Sequence, residues 1–130
     1  MSLTYLSVKG LNTFYGKSHI LFNVSLEVRK KGQVVCLMGR NGAGKTTTLK
    51  SIMGWIIPKS GSIKFKGIEI AGKKAHEIAL LGIGMVPEDR RIFSDLTVGD
   101  NLRLAMRLSN KAKRPVIWNE EKIFDLVGEL

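Results

Sequence analysis

The residues best suited to chemistry in this chain lie in one glycine-rich stretch, residues 39–46. They fit the pattern G-x-x-x-x-G-K-[ST] and are, in order, Gly39, Arg40, Asn41, Gly42, Ala43, Gly44, Lys45 and Thr46. The apolar residues 34–38 precede this stretch and predict a strand buried on both faces. Leu49, Ile52 and Met53 follow it at helical spacing. A strand, a glycine-rich turn and a helix start, in this order, are typical of a phosphate-binding loop.

The backbone explains why glycine suits this stretch. Gly39, Gly42 and Gly44 tolerate positive φ, so the main chain can curl and its N–H groups can converge on one point. The start of the following helix adds partial positive charge. Lys45 supplies a mobile cation for terminal phosphates, and the Thr46 hydroxyl is placed to hold Mg²⁺. We therefore predict binding of a nucleoside triphosphate, with a glycine-rich turn that binds nothing as the competing interpretation.

Two amphipathic segments lead into the predicted buried strand. Apolar residues alternate from Leu6 onward and again across residues 20–28, as expected for half-buried strands. They predict an antiparallel layer beside a parallel core. After the first helix, Ile63 and Phe65 alternate with lysines within residues 62–67, which predicts a further strand.

The rest of the chain predicts three helices and one more strand. Residues 74–81 predict a short helix, and residues 83–87 predict a second short buried strand. Thr97 is placed to cap a helix whose buried face would contain Leu102, Ala105, Met106 and Leu108. Residues 111–115 predict a basic loop. Asn119 is placed to cap a last helix with the apolar residues Ile123, Phe124 and Val127.

Composition indicates a single globular domain with few candidates for metal or redox chemistry. Of the 130 residues, 44% are apolar and 25% are charged, which is typical of soluble domains. No apolar run approaches the roughly 20 residues of a membrane-spanning helix, and no signal-peptide pattern is present. Cys36, inside the apolar residues 34–38, is predicted to be a core residue in a reducing compartment, the cytoplasm. His19 and His76 lack metal-ligand neighbours and are predicted to be solvent-exposed.

The net charge of +10 raises the question of an anionic partner. The basic residues are spread along the chain and are not interleaved with aromatic residues of the kind that stack on bases. Solvated turns together with a polyphosphate ligand account for this charge, and a cytoplasmic membrane surface would also attract it. Nucleic acid is therefore an unlikely partner, kept as the less favoured alternative.

Several stretches together resemble one protein family, the ATP-binding-cassette (ABC) ATPases. Residues 39–47 resemble the Walker A segment of this family, and Tyr15 stands about thirty residues before Lys45, where the family keeps an aromatic residue that stacks on adenine. Residues 58–67 resemble the turn and strand that follow the first helix. Residues 85–102 resemble the segment that runs into the helical subdomain. The resemblance covers nearly the whole chain.

Residues 87–93 are most similar to the ATPase subunit of branched-chain amino-acid importers. In that subgroup Glu often stands where most relatives have Gln, in the loop that senses Mg²⁺ and the permease, and Glu88 matches it. A carboxylate is a suitable oxygen ligand for Mg²⁺. A solvated loop acid is the competing interpretation of Glu88, and urea or amide importers of the same lineage look similar.

The resemblance implies an α/β fold, in which a P-loop NTPase (RecA-like) core portion carries an N-terminal antiparallel β-subdomain. It implies that residues 1–130 are the N-terminal part of a nucleotide-binding domain, comprising the β-subdomain, the Walker A core and the start of the helical subdomain. ATP and Mg²⁺ are the implied cofactors, with Thr46 and Glu88 as metal ligands. The implied nucleotide-binding residues are Tyr15, Gly39, Arg40, Asn41, Gly42, Ala43, Gly44, Lys45, Thr46 and Thr47.

The family also needs a Leu-Ser-Gly-Gly signature, a strand ending in Asp-Glu and a switch histidine, and none occurs before Leu130. No catalytic residue is therefore expected within this stretch, and hydrolysis is expected of the parent protein only. The resemblance also implies that residues 34–38 and 83–86 lack their sheet neighbours, and that residues 34–38 expose apolar faces. A truncated product, a fragment, and a chain completed by swapping or dimerisation are all compatible with this expectation.

The function implied by the resemblance is that of the ATP-binding subunit of an importer, which couples ATP binding and hydrolysis to amino-acid uptake. Its implied partners are membrane permease subunits and a second ATPase subunit, in a homodimer or heterodimer. Its implied location is the cytoplasmic side, peripheral on the inner face of the cell membrane. The alternatives are a soluble non-transport ABC ATPase acting on nucleic acid or ribosomes, and a non-catalytic nucleotide-binding fragment. A P-loop GTPase or kinase fits less well.

Overall fold

The structure, a computed structural model, describes residues 3–111 and 117–128, with the backbone alone at residues 108–111. In this part of the chain the elements are β1 (Leu6–Tyr15), β2 (Ser18–Val28), α1 (Lys45–Ile52), β3 (Ser60–Phe65), β4 (Ile68–Glu69), α2 (Ala75–Leu81), α3 (Val98–Lys111) and α4 (Glu120–Val127). The chain divides into two compact units. The first runs to Ala79 and includes Ile83–Met85, and the second contains Leu80–Gly82 and the residues from Val86 onward.

The first unit is built on a four-stranded sheet in the order β2-β1-β3-β4, with antiparallel pairing throughout. Val8 of β1 pairs with Leu26 on one side and with Ile63 on the other, so apolar residues share one face. Lys66 and Gly67 both have positive φ and form the two-residue turn between β3 and β4. The predicted antiparallel layer and the strand within residues 62–67 are confirmed.

The core of the first unit lies between this sheet and the helices α1 and α2. The apolar residues buried in it come from both strands and helices, and they are Val8, Leu11, Leu21, Ile52, Met53, Ile63, Phe65, Ile70 and Ile78. Because Ile63 and Phe65 are buried while Lys64 is exposed, the alternation in the sequence corresponds directly to the two faces of β3. The core thus places α1 against the apolar face of the sheet.

Residues 34–38 do not form the buried strand that their sequence predicts. They have no regular secondary structure, and Val34 and Met38 are 91% and 86% exposed. A strand buried on both faces needs neighbours on both sides, and in the described ranges no strand pairs with these residues. Cys36 is accordingly exposed, which corrects its predicted place in the core. The expectation that this segment would expose apolar side chains is confirmed.

Residues 83–87 likewise form no strand. Ile83 and Met85 are half-buried, and Val86 is 95% exposed. The reason is the same as for residues 34–38, since in the described part of the chain no strand pairs with residues 83–87. The predicted helix at residues 74–81 is confirmed as α2, which begins one residue later.

The second unit contains α3 and α4, each with the predicted cap. The Asp100 N–H donates to Thr97 Oγ1 at 3.1 Å at the start of α3, and the Lys122 N–H donates to Asn119 Oδ1 at 2.9 Å at the start of α4. The Arg103 guanidinium pairs with Asp100 of its own helix (2.8 Å) and with Glu120 of α4 (3.1 Å), and the second pair connects the two helices. These caps and ion pairs fix where both helices begin.

The predicted burial along these helices is only partly confirmed. Leu102 and Met106 are half-buried on α3, but Ala105 is exposed, and the side chain of Leu108 lies outside the described residues. On α4 Ile123 is half-buried, whereas Phe124 and Val127 are exposed. Among the described residues α3 and α4 contact each other along a narrow stripe, which leaves their flanks exposed. The predicted basic loop begins at Lys111, the last residue of α3, and otherwise falls outside the described residues.

Among the helices that the structure describes, none is both long enough and apolar enough to cross a membrane.

Candidate phosphate-binding site

The loop at residues 39–44 turns the chain from the unpaired residues 34–38 into α1. The Ala43 N–H donates to the Arg40 carbonyl at 3.1 Å and closes a tight turn. Gly42 and Gly44 have φ values of +83° and +100°, in the left-handed region that side chains rarely adopt. Gly39 does not have a positive φ, so the left-handed backbone conformation that favours glycine occurs at only two of the three glycines in the pattern.

Gly44 is also constrained by what lies beside it. A Cβ atom at this position would lie 2.7 Å from Cδ2 of Leu21, a residue of β2 that is only 2% exposed. The loop therefore rests directly on the sheet at Leu21. The motif does not include this residue, and only its inward place in the alternation of β2 gave a sequence signal for it.

The Lys45 side chain folds back across the loop. Its ammonium donates to the carbonyl oxygens of Gly39 (2.6 Å) and Arg40 (2.8 Å). Lys45 is half-buried as a residue, and both hydrogen bonds of its ammonium are exposed at the mouth of the loop. A flexible four-carbon stem allows the same ammonium to turn toward an anion seated in the loop.

The start of α1 presents donors and no opposing charge. The N–H groups of its first turn have no acceptor within the helix, and this turn contains no acidic residue. Thr48 Oγ1 donates to the Gly44 carbonyl at 2.9 Å and is buried, as is Thr47. The Thr46 side chain is exposed. These features give the helix start the uncompensated positive end that favours phosphate.

Metal ligands are sparse around this loop. Within the described ranges no group of three or more His, Cys, Asp or Glu side chains could hold a metal ion. The Thr46 hydroxyl suits Mg²⁺ bound partly by phosphate oxygens and water, because this ion often takes only one or two protein ligands. Glu88 is exposed and belongs to the second unit, whereas the loop belongs to the first.

Tyr15 is the last residue of β1 and is 47% exposed. Gly16 follows it with positive φ, and Ser18 of β2 pairs with Tyr15 across the turn. About half of the Tyr15 side chain is therefore accessible, at the end of a strand whose position the sheet fixes. Tyr15 and residues 39–47 lie in the same compact unit.

His19 is not the solvated turn residue that the sequence predicts. Its ring stacks on Phe14 with 4.1 Å between centroids and an interplanar angle of 9°, and Phe22 lies 3.8 Å away on a tilted plane. Its Nε2 atom is 3.2 Å from Oδ1 of Asn12. The register shift between Thr13 and Phe14 places His19 opposite Phe14, so His19 packs at the β1–β2 turn next to Tyr15. His76 is exposed, as predicted.

Two buried hydroxyl groups that the sequence did not single out connect β1 to α1. Thr13 Oγ1 and Ser51 Oγ lie 3.0 Å apart, and both residues are buried. Ser51 Oγ also donates to the Thr47 carbonyl at 2.8 Å. No pattern in the sequence marks this pair, because Thr and Ser at inward positions are ordinarily read as weak apolar residues.

Comparison with known proteins identifies relatives over most of the chain. The family model described as "ABC transporter" matches residues 21–128. The high-affinity branched-chain amino acid transport ATP-binding protein BraG of Pseudomonas aeruginosa is 44% identical over 125 residues, which are 96% of this chain and 52% of that protein. The sulfate/thiosulfate import ATP-binding protein CysA of Pseudomonas syringae is 34% identical over 125 residues, which are 96% of this chain and 36% of that protein.

A solved structure of the ATP binding subunit of an ABC transporter superposes with a TM-score of 0.71 at 34% identity. The match covers 81% of this chain and 42% of that one. The chain thus spans about half of the length of BraG and of this ATP binding subunit. These likenesses confirm the resemblance found in the sequence and the fold class expected from it, a portion of a P-loop NTPase with an N-terminal antiparallel β-subdomain.

Proposed function

This chain belongs to the ABC transporter family, and from that premise we propose that it supplies the ATP-binding part of an importer. The observation that carries the proposal is the loop at residues 39–44, which ends on a helix start with free N–H groups, a half-buried Lys45 and no acidic residue in the first turn. Such a loop recognises the triphosphate through backbone donors and one mobile cation.

In this proposal each predicted site residue has a separate task. Lys45 binds the terminal phosphates, Tyr15 stacks on adenine, and Thr46 and Glu88 hold Mg²⁺, which when bound neutralises phosphate charge. The remaining members contribute backbone donors and loop shape, and they are Gly39, Arg40, Asn41, Gly42, Ala43, Gly44 and Thr47. The Lys45 ammonium exchanges its bonds to two neutral carbonyls for bonds to an anion, which are the stronger kind.

Residues 1–130 are proposed as the N-terminal part of a nucleotide-binding domain, and no residue in them is proposed as the general base. Hydrolysis is assigned to the complete ATPase acting with a second ATPase subunit. The proposed partners are permease subunits, and the proposed location is the cytoplasmic face of the membrane. The names of the similar proteins support transport as the setting, since BraG and CysA are both named as transport ATP-binding proteins.

Branched-chain amino acids are the proposed substrate class. BraG, named for transport of these amino acids, is 44% identical, and the sulfate/thiosulfate protein CysA is 34% identical over the same number of residues. The amino-acid sequence of residues 87–93, including Glu88, supports the same substrate class. Deletion of the gene in its host is expected to reduce uptake of leucine, isoleucine and valine and to leave sulfate uptake unchanged. Reduced sulfate uptake with normal leucine uptake would contradict the proposed substrate.

Calorimetry with Mg²⁺-ATP tests the proposed site directly. Saturable binding is expected in the unmodified protein, and Lys45→Ala is expected to weaken it at least about tenfold because a charge-assisted contact is lost. Lys31→Ala removes the same charge from an exposed turn and serves as the matched control. Equal binding by the unmodified protein and both variants would show that the loop does not hold the phosphates.

A further inference from the structure

The hydroxyl pair Thr13–Ser51 forms a directed hydrogen-bond chain inside the core of the first unit. Thr13 is fully buried and Ser51 is 2% exposed. Because the single Ser51 proton is donated to the Thr47 carbonyl, Thr13 must be the donor in the 3.0 Å contact. The chain therefore runs from Thr13 in β1, through Ser51, to the backbone of Thr47 in the first turn of α1.

This chain of hydrogen bonds connects β1, which carries Tyr15, with α1, which follows the phosphate loop. Thr13 is two residues before Tyr15 on β1, and Thr47 is two residues after Lys45 on α1. Leu21, which pairs with Thr13 in the sheet, packs against Gly44. The sheet thus supports α1 at two points, with an apolar contact at the loop and a hydrogen bond in the second turn.

The two contacts constrain α1 differently. An apolar contact such as Leu21 on Gly44 sets a distance but tolerates sliding, since the hydrophobic effect has no direction. A hydrogen bond weakens steeply when its angle or length changes, so Thr13 and Ser51 fix the axial position of α1 relative to β1. A pair of buried hydroxyl groups costs desolvation that a Val–Ala pair would avoid, and the hydrogen bonds that the two groups form offset that cost.

We propose that Thr13 and Ser51 are positioning residues that hold Tyr15 in register with the phosphate loop, and thereby make the site select a nucleoside triphosphate over inorganic triphosphate. The proposal rests on the proposed roles of Tyr15 and the loop. Neither hydroxyl is accessible to a ligand, so both act only through the elements that they connect.

The double variant Thr13→Val/Ser51→Ala separates positioning from folding. It removes both partners together and replaces them with apolar groups of similar shape, so it leaves no unpaired buried donor and little loss of stability is expected. Thr13→Ser keeps the hydroxyl and is the conservative variant. Ser62→Ala removes a hydroxyl that bonds to Glu69 at the other end of the sheet, and it controls for general loosening of the sheet.

The measurement is the ratio of two affinities, for Mg²⁺-ATP and for Mg²⁺-tripolyphosphate, by calorimetry. The double variant is expected to lower this ratio about fivefold, the equivalent of one buried hydrogen bond, by weakening ATP alone. Thr13→Ser and Ser62→Ala are expected to keep the ratio of the unmodified protein. In a Tyr15→Ala background, the double variant is expected to change the ratio no further.

The outcomes distinguish this inference from the proposed function. If the unmodified protein binds ATP and the double variant keeps its ratio, the positioning role is wrong while the proposed function stands. If the double variant weakens ATP and tripolyphosphate equally, the pair is structural only, and the inference is again overturned. If the unmodified protein binds neither compound, the proposed function fails and this inference fails with it.

Discussion

Among single residues of the loop, Gly44 is the most constrained. It combines positive φ with contact to a buried side chain, whereas Gly42 has positive φ and open space around it. The loop thus needs glycine at these two positions for different reasons. At Gly42 the backbone conformation excludes a side chain, and at Gly44 the packing on Leu21 excludes it as well.

Gly44→Ala is therefore expected to destabilise the first unit. Left-handed strain costs about 1–3 kcal/mol, and overpacking against the buried Leu21 adds about 1–3 kcal/mol. Gly72→Ala is the matched control, since Gly72 has a φ of +82° with nothing within 4 Å and would show the strain alone. Urea denaturation of both variants measures the difference. Equal midpoints for the two would show that Leu21 yields without cost.

At the level of elements, the sequence predicted those features that depend on interactions between residues close together in the chain. The caps at Thr97 and Asn119, the alternation in β1 and β3, and the glycine-rich loop are all where the sequence places them, because each depends on residues a few positions apart. Residues 34–38 and 83–87 were predicted as strands and are not. An apolar run forms a buried strand only where other strands pair with it, and this pairing depends on residues far away in the sequence.

In the predicted site, too, the sequence identified what nearby residues determine and missed what contacts between distant residues determine. Sequence could identify residues 39–46 because the pattern encodes a backbone shape. It could not identify Leu21, Thr13 or Ser51, since their importance arises only where β1 and β2 contact α1. His19 was misjudged for the same reason, as its stacking partners Phe14 and Phe22 become neighbours only in the folded sheet.

The cap of α4 provides a direct test at the level of one element. Asn119→Ala removes the acceptor of the Lys122 N–H and is expected to destabilise α4 by about 1 kcal/mol. Asn119→Asp keeps an acceptor and is the matched control, expected to retain the helix. Hydrogen exchange of the α4 amides measures local opening. Unchanged exchange in Asn119→Ala would mean that packing on α3 alone holds the helix.

The β3–β4 hairpin is expected to contribute a pH-dependent part of stability. Partial burial acts to raise the pKa of Glu69, but hydrogen bonds from Ser62 and from the N–H groups of Ile63 and Ala71 outweigh it and hold the pKa below its ordinary value. A carboxyl whose folded-state pKa is lowered stabilises the fold above its unfolded-state pKa, about 4.3, and loses this effect as the pH falls through the folded-state pKa.

Glu69→Gln is accordingly expected to lower the urea midpoint at pH 7 and to lower it less at about pH 3, because the stabilisation by the carboxylate decreases once the pH is below the unfolded-state pKa. Glu121→Gln, on the exposed side of α4, is the matched control and is expected to leave both midpoints unchanged. If Glu69→Gln lowered the urea midpoint equally at both pH values, the effect would come from altered packing or hydrogen bonding and not from the lost charge.

On the scale of the whole molecule, residues 34–38 are one group of exposed apolar side chains outside the core. The core of the first unit is closed on one face of the sheet, but residues 34–38 leave four large apolar side chains exposed without pairing their backbone within the described part of the chain. Unpaired backbone beside apolar side chains is the combination that native proteins ordinarily cover or interrupt with charge. The chain's net charge of +10 opposes association in general but leaves this segment without a charge of its own.

The last prediction follows from that segment. We expect the 130-residue chain to self-associate through residues 34–38, and Val34→Lys to reduce association because an added charge on an unpaired segment disfavours strand pairing between copies. Leu126→Lys is the matched control, as it replaces a 73% exposed apolar residue of α4 and adds the same charge. Sedimentation velocity over a range of protein concentrations distinguishes the two. Should both variants reduce association equally, the unpaired segment would not govern it, because both variants lose an exposed apolar side chain and gain one positive charge.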